Sequence, residues 1–183
     1  MLIARYAKIA MSLALAAFCL LVAFDNVTDY GTNYLFVQHV LSMDTTFPGN
    51  ALMYRSITNP VLWQIAYALI IAAEGAIGIL FLTGAIRLIQ VRNASGAVFN
   101  QAKALVVVGA TLAFLVWFFG FMVVAGEWFA MWQSQTWNGQ EAAFRFYTAV
   151  LGVLIFVALP DNDLDGAPPR PAAKRRGSDK KPA

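Results

Sequence analysis

The sequence is poor in the residues that build disulfide scaffolds, haem sites and ordinary soluble domains. It contains one cysteine, Cys19, and one histidine, His39, among 183 residues. A single cysteine excludes an intramolecular disulfide, and a single histidine excludes bis-histidine haem ligation within one subunit. Charged residues make up only 13% of the chain, about half the share typical of soluble domains. The low charge content indicates a membrane protein rather than a soluble domain.

Motifs that carry enzyme or metal chemistry are also missing from the sequence. It has no glycine-rich phosphate loop, no nucleophile elbow, no Cys/His zinc spacing and no paired carboxylates at helical separation. His39 and Met43 are four residues apart, which suits one helical face, but two ligands make no site. We therefore predict no enzyme activity, no catalytic residue, no cofactor and no metal, with His39 an interfacial or surface side chain.

The residues that are present predict an all-α, polytopic membrane protein. The chain is 60% hydrophobic with a mean hydropathy of +0.62, and it has four apolar runs, each about the 20 residues that cross a bilayer. We expect one domain, residues 1–160, in which four transmembrane helices form an antiparallel bundle with two structured extracytoplasmic loops. The predicted spans are residues 6–24, 61–82, 104–125 and 142–159, and the predicted outer loops are residues 25–59 and 126–141.

The first and fourth apolar runs are less typical of membrane spans than the second and third. A cleaved signal peptide is the alternative for the first, but Leu21 to Phe24 offer no small-residue cleavage site, so we interpret it as an uncleaved helix. The fourth span carries Arg145 near its start, where a long side chain can reach the headgroups. Pro160 ends that span.

The distribution of basic residues predicts the orientation. All but Arg55 and Arg145 of the 13 lysines and arginines fall on one side of this layout, which the positive-inside rule assigns to the cytoplasm. Both termini are therefore expected inside, with residues 83–103 as a cytoplasmic loop and residues 161–183 as a disordered basic tail. Because the basic residues border membrane segments, the net charge of +3 predicts no nucleic acid partner.

The outer loops are expected to form a cap. Residues 33–43 predict an amphipathic helix that packs on the bundle or lies on the membrane, and packing on the bundle is favoured. An ion pair is predicted between Glu127 and Arg145, and another between Arg55 and one of three acids. Those acids are Asp25, Asp29 and Asp44. Tryptophans enriched at membrane interfaces complete the cap, namely Trp128, Trp132 and Trp137.

Glu74 is the clearest anomaly in the apolar runs. It lies about 20 Å below the outer start of the second span, beyond the reach of snorkelling, where a charge costs on the order of 3 kcal/mol. Gly75 and Gly78 beside it favour close helix packing. Two interpretations stay open, a proton-carrying or ligand-gripping carboxyl and a protonated structural carboxyl bonded to a neighbouring helix.

Two polar and aromatic strings resemble a known family. The strings QHVLSMDTTFPGNALMYRSI and GFMVVAGEWFAMWQSQTWNGQ, the second followed by EAAFRFY, are similar to bacterial predicted small integral membrane proteins grouped as domain of unknown function 2165. The resemblance covers about residues 5 to 160. It implies about four spans and a bacterial inner membrane, and it supplies no catalytic residues to carry over.

The leading functional hypothesis is a non-enzymatic accessory or structural subunit that docks on a larger inner-membrane complex. Its expected partners are the lipid bilayer and other integral membrane subunits or a second copy of the chain. The alternatives are a small oligomeric proton-coupled transporter using Glu74 and a quinone- or lipid-handling membrane enzyme. The candidate cap interaction residues are His39, Asp44, Arg55, Glu127, Trp128, Trp132, Trp137 and Arg145.

Overall fold

The computed structural model describes residues 1–164, which form helices joined by short connections, with no strand among them. Four helices in this part of the chain are long and apolar enough to cross a membrane. The third of these spans, Gly96–Trp128, is assembled from three consecutive segments. The helices are α1 (Leu2–Thr28), α2 (Tyr30–Ser42), α3 (Pro60–Gln90), α4 (Gly96–Ala102), α5 (Ala104–Phe114), a π-helix continuing α5 (Leu115–Trp128) and α6 (Gln140–Ala158).

The helix α3 shows how local sequence sets the elements. The Asn59 side chain accepts a hydrogen bond from the amide of Val61 at 2.9 Å, and Pro60 occupies the first helical turn, where its missing N–H costs nothing. The helix then runs to Gln90, well past the predicted end at residue 82. Much of the predicted loop 83–103 is therefore helical, because backbone hydrogen bonding continues beyond the apolar run.

The core forms chiefly where α1 packs along α3 and α3 packs along α5. Gly78 permits the first contact, because a Cβ atom there would lie 2.7 Å from Cγ of Leu20. Gly84 permits the second, because a Cβ atom there would lie 2.7 Å from Cγ2 of Val106. Small residues thus allow close helix approach, as expected in a membrane. Cys19 is buried in this core.

The cap, which we define as residues 29–59 and 129–139, covers one end of the bundle. The predicted helix 33–43 is present as α2, and its apolar side packs against Phe129, Ala130 and Met131. Met43 ends α2 in the left-handed conformation with φ of 57° and is buried. Burial of Met43 separates it from His39, so the two side chains do not form one exposed face.

The opposite end, which we call the Arg5 end, consists of the start of α1 with residues 91–103 and 159–164. Arg5, Lys8 and Lys103 are all buried there. Lys8 Nζ and Lys103 Nζ both contact Asp161 Oδ2, at 2.6 and 2.5 Å, and both donate to the carbonyl oxygen of Leu159. The lysines thus satisfy a carbonyl at the C-terminus of α6, where such groups lack helical partners.

The predicted disorder of the tail is wrong for its first residues, 161–163. Arg5 donates to the carbonyl oxygen of Asn162 at 2.8 Å, and Asp163 Oδ1 accepts from the Gly96 amide at 2.7 Å. Burial alone raises the pKa of Asp161, but hydrogen bonds from Lys103 and Lys8 lower it below its usual value. Specific polar contacts therefore hold residues 161–163 on the bundle. The remainder of the predicted tail, residues 165–183, lies outside the described residues.

Candidate functional site

Glu74 projects from α3 into the interior of the bundle. Its side chain is only 3% exposed, and its Oε2 accepts a hydrogen bond of 2.7 Å from Nδ2 of Asn26 on α1. Tyr67, two turns earlier on the same face of α3, donates its hydroxyl to the backbone carbonyl of Asn26 at 2.9 Å. Two helices therefore fix the carboxyl through one asparagine.

A central cavity of about 330 Å³ surrounds this carboxyl. Side chains from α1, α2, α3, the π-helix and α6 line it, so it lies among all four spans and beneath the cap. Asp25 and Asn33 join Glu74, Asn26 and Tyr67 as its polar residues. The volume is at the lower end of the range of small-molecule sites. The remainder of the lining is apolar and includes the aromatic residues Phe36, Trp117, Phe121 and Phe146.

The arrangement suits recognition of a hydrogen-bond donor. Within residues 1–164, Oε2 of Glu74 has its partner in Asn26, while Oε1 accepts no protein hydrogen bond and is not sealed away from the cavity. An acceptor of this kind in an apolar site gains more from a donor than it would in water. The cavity can therefore bind a hydroxyl or amine against Glu74.

A second cavity, which we call the apolar groove, adjoins the first. It measures about 350 Å³ and lies between α2, α3 and the π-helix, and every residue that lines it is apolar or glycine. Leu69 and Ala66 of α3 and Gly120 of the π-helix are among these residues. The groove and the central cavity share the residues Phe36, Val37, Ile70 and Phe121.

The π-helix borders both cavities. Its wide turn is evident at its end, where the amide of Phe129 bonds the carbonyl of Val124 five residues earlier at 3.1 Å. Segments of π-helix are rare and occur frequently at functional sites. Gly126 lies where a Cβ atom would be 2.6 Å from Nε2 of Gln140, so the Gln140 side chain at the start of α6 packs directly on this glycine.

His39 is built into the cap. Its Nδ1 lies 2.9 Å from both carboxylate oxygens of Asp44, and its ring stacks on Trp137 with centroids 4.6 Å apart. Among the described residues, no group of three or more histidine, cysteine or acidic side chains could hold a metal ion. These contacts tie α2 to the second cap segment.

Arg55 does not pair with any of the three predicted acids. Its guanidinium lies 4.5 Å from the centroid of the Trp128 ring and donates to the carbonyl oxygen of Trp128 at 3.3 Å and to the hydroxyl of Tyr54 at 3.2 Å. Asp44 is instead taken by His39. Stacking on a tryptophan face is a favourable alternative to an ion pair for an arginine.

The predicted ion pair between Glu127 and Arg145 is also wrong. Arg145 pairs with Glu141, one turn earlier on α6, and both side chains are exposed. The i,i+4 spacing places these two groups side by side as soon as α6 forms. Glu127, at the end of the π-helix, is exposed.

Large aromatic side chains remain exposed on the cap and at the adjoining end of the π-helix. Trp128 and Trp132 are each about half exposed, and Trp132 meets Phe47 edge to face with centroids 5.7 Å apart. Tyr54 is 75% exposed. Between the two cap segments, in contrast, Gln133 Oε1 accepts a hydrogen bond from Nδ2 of Asn50, so these two side chains hold the segments together.

Sequence reasoning found Glu74 but missed the residues that hold it. Asn26 lies two residues beyond the predicted end of the first span, and Tyr67 reads as an ordinary aromatic of an apolar helix. The position of Asn26 within one helical turn of the predicted span end shows that it could face the bundle, but nothing in the sequence sets it level with Glu74. The buried Arg5 end was missed because its basic residues also fit the positive-inside pattern.

A comparison with protein families matches residues 4–160 to the family described as "Predicted small integral membrane protein (DUF2165)". The match spans all four long helices and the cap. No curated protein and no solved structure matches the chain.

Proposed function

The chain belongs to the DUF2165 family of predicted small integral membrane proteins, and we propose that it is a non-enzymatic protein that binds a small ligand within the membrane. Glu74 grips the ligand in the central cavity. The observation that carries the proposal is that a buried carboxyl, oriented by Asn26, directs its second oxygen into a cavity among four spans. Ionisable groups within membrane spans are costly and commonly serve function.

Ligand retention tests the proposal. The full chain is purified in mild detergent from the membrane in which it is made, and the small molecules that accompany it are extracted and identified by mass spectrometry. Wild type and Glu127→Gln, an exposed control, should retain the same molecule, while Glu74→Gln should retain about tenfold less because one strong hydrogen bond to the ligand is lost. Equal retention by all three proteins would reject the proposal.

A related possibility is a small oligomeric proton-coupled transporter, in which Glu74 binds the ligand and also exchanges a proton. It requires the ligand to leave at both ends of the bundle. Glu74→Gln should then abolish flux into proteoliposomes while leaving the folded protein intact. If the wild type binds the ligand but shows no flux, the transporter is rejected and the ligand-binding protein stands.

A second candidate is an accessory subunit that docks on a larger membrane complex. The exposed aromatic residues Trp128 and Trp132 favour it, since aromatic side chains are enriched at protein interfaces. They also suit a lipid interface. Purification in mild detergent followed by mass spectrometry distinguishes the two, because an accessory subunit carries a partner or a second copy. A protein that always runs as a lone monomer would reject docking.

We further propose an antiparallel bundle in a bacterial inner membrane, with both termini in the cytoplasm and the cap outside. Arg5 contacts Ala94 beyond the end of α3, and Asn26 contacts Tyr67 near its start, which supports opposite directions for α1 and α3. A cysteine introduced at Asn138 in the cap should react with a membrane-impermeant maleimide in intact cells. A cysteine at Asn93 should react only after lysis, and the opposite result would reverse the orientation.

A further inference from the structure

The nature of the ligand can be inferred from the two cavities together, and this inference rests on the proposed function. The central cavity and the apolar groove are neighbours that share four residues, two on α2, one on α3 and one on the π-helix. A molecule with its polar part at Glu74 and its apolar part in the groove would contact these four side chains where the two cavities adjoin. Either cavity alone would be filled by only one part of such a molecule.

The groove determines the apolar part of the ligand. Its lining is entirely apolar, and it runs beside membrane-spanning portions of α3 and the π-helix, with Leu69 at its rim 65% exposed. A polar or charged substituent would lose its hydration there without gaining a partner. A flexible hydrocarbon chain suits the groove, because it forms only dispersion contacts and needs no hydrogen bond.

The central cavity determines the head of the ligand. Five aromatic side chains lie on its walls, and a flat ring placed among them gains stacking and edge contacts. Glu74 Oε1 is the acceptor directed into the cavity, so the ring needs a hydroxyl that donates to it. The aromatic residues are Phe36, Tyr67, Trp117, Phe121 and Phe146.

The geometry points to an amphipathic phenol as the ligand, a hydroxyl-bearing aromatic ring with one long hydrocarbon chain. The ring lies in the central cavity with its O–H donated to Glu74, and the chain lies in the apolar groove between α3 and the π-helix. Alkylated and prenylated phenols, including reduced quinones, belong to this class. The binding itself transfers no electron and breaks no bond.

Four probes separate the parts of this ligand. The purified full chain is titrated with 4-decylphenol, and dissociation constants are measured by native mass spectrometry. Decylbenzene lacks the hydroxyl, decanol lacks the ring and phenol lacks the chain. We expect each of these three to bind at least about tenfold more weakly than 4-decylphenol. Glu74→Gln should reduce the affinity for 4-decylphenol at least about tenfold, since Asn26 engages the amide oxygen and the amide NH2 group left facing the phenol is a donor in place of an acceptor.

Two glycines provide a matched test of the groove. Gly120 lines the groove, and Gly152 of α6 lines neither cavity; a Cβ atom at Gly120 would meet only its own helix at 3.8 Å, and one at Gly152 would meet nothing within 4 Å. Gly120→Phe should weaken 4-decylphenol at least about tenfold and leave the binding of phenol unchanged, which also shows that the variant is folded. Gly152→Phe should change neither.

Three results would overturn the inference. Phenol binding as tightly as 4-decylphenol, or Gly120→Phe binding 4-decylphenol like the wild type, would show that no chain enters the groove, and ligand binding at Glu74 would still stand. Decanol binding as tightly as 4-decylphenol would reject the aromatic head in the same way. The proposed function is rejected by a different result, namely that Glu74→Gln retains the native ligand as well as the wild type does.

Discussion

The Asn26 amide donates a hydrogen bond of 2.7 Å to the Glu74 carboxyl and so joins α1, two residues before its C-terminal end, to α3 in the interior of the bundle. The same asparagine accepts the Tyr67 hydroxyl through its backbone carbonyl. This three-residue arrangement orients one carboxylate oxygen and leaves the other to the cavity. The hydrogen bond that joins the two helices and the proposed ligand site therefore share Glu74, and each can be tested separately.

Removal of the asparagine amide should destabilise the bundle. In Asn26→Ala the Glu74 carboxyl loses its donor in an apolar site, which costs about 1–3 kcal/mol of unfolding free energy. Asn33 lines the same cavity from α2 but is exposed, so Asn33→Ala is the control and should change stability by less than about 0.5 kcal/mol. Reversible unfolding in mixed detergent micelles measures both variants. Equal effects would mean that the Asn26 hydrogen bond carries no stability.

The acid that bridges Lys8 and Lys103 at the Arg5 end, Asp161, should be strongly required. Asp161→Asn leaves Lys8 and Lys103 facing each other without a carboxylate, and removing one partner from a buried ionic cluster costs about 3–5 kcal/mol. Asp163 on the same segment is exposed, and within residues 1–164 its side chain bonds only the Gly96 amide, so Asp163→Asn should cost about 1 kcal/mol. Thermal denaturation in detergent ranks the two. A smaller loss for Asp161→Asn than for Asp163→Asn would contradict the cluster.

The same acid gives stability a defined pH dependence. The pKa of Asp161 in the folded protein lies below its usual value of 3.8, so the folded state binds a proton less readily than the unfolded chain. Its contribution is therefore complete above the unfolded pKa and is lost as the pH falls through the folded pKa. The difference in melting temperature between wild type and Asp161→Asn should be constant from pH 5 to 7 and should narrow below about pH 4. A difference that narrows as the pH rises would have the wrong sign.

Close backbone approach predicts one costly glycine substitution. A Cβ atom at Gly96 would collide with the backbone carbonyl of Asp161, and backbone cannot move aside as a flexible side chain can. Gly96→Ala should therefore destabilise the protein by about 1–3 kcal/mol. Gly152→Ala, in open space on α6, should be neutral or slightly stabilising because alanine favours helix. Similar melting temperatures for the two variants would mean that residues 161–162 do not pack on Gly96.

The sequence predicted what depends on local composition and missed what depends on long-range pairing. Four spans and the cap helix follow from apolar runs and periodicity, and both are present. The partner of Glu74 is 48 residues away on another helix, and no local pattern selects Asn26 over its neighbours. Arg145 illustrates the opposite error. We predicted a partner across a loop, Glu127, but Arg145 pairs with Glu141 on its own helix.

The ends of the helices were the least predictable part of the fold. A hydropathy window stops where polar residues begin, but α3 continues to Gln90 because its backbone hydrogen bonds do not depend on side-chain polarity. Residues 161–163 have no apolar periodicity, and they are held instead by Arg5, Lys8 and Lys103, whose burial the sequence does not reveal. Tertiary contacts of charged residues therefore define the Arg5 end.

A density map of the protein, purified from its own membrane without added ligand, would show directly whether a ligand occupies the central cavity. We expect non-protein density within hydrogen-bond distance of the Glu74 carboxyl, beside the four residues that the two cavities share. The same map of Glu74→Gln should show that density weakened, with Tyr67 still bonded to Asn26. A central cavity filled by the protein's own side chains, with no space beside Glu74, would contradict this expectation.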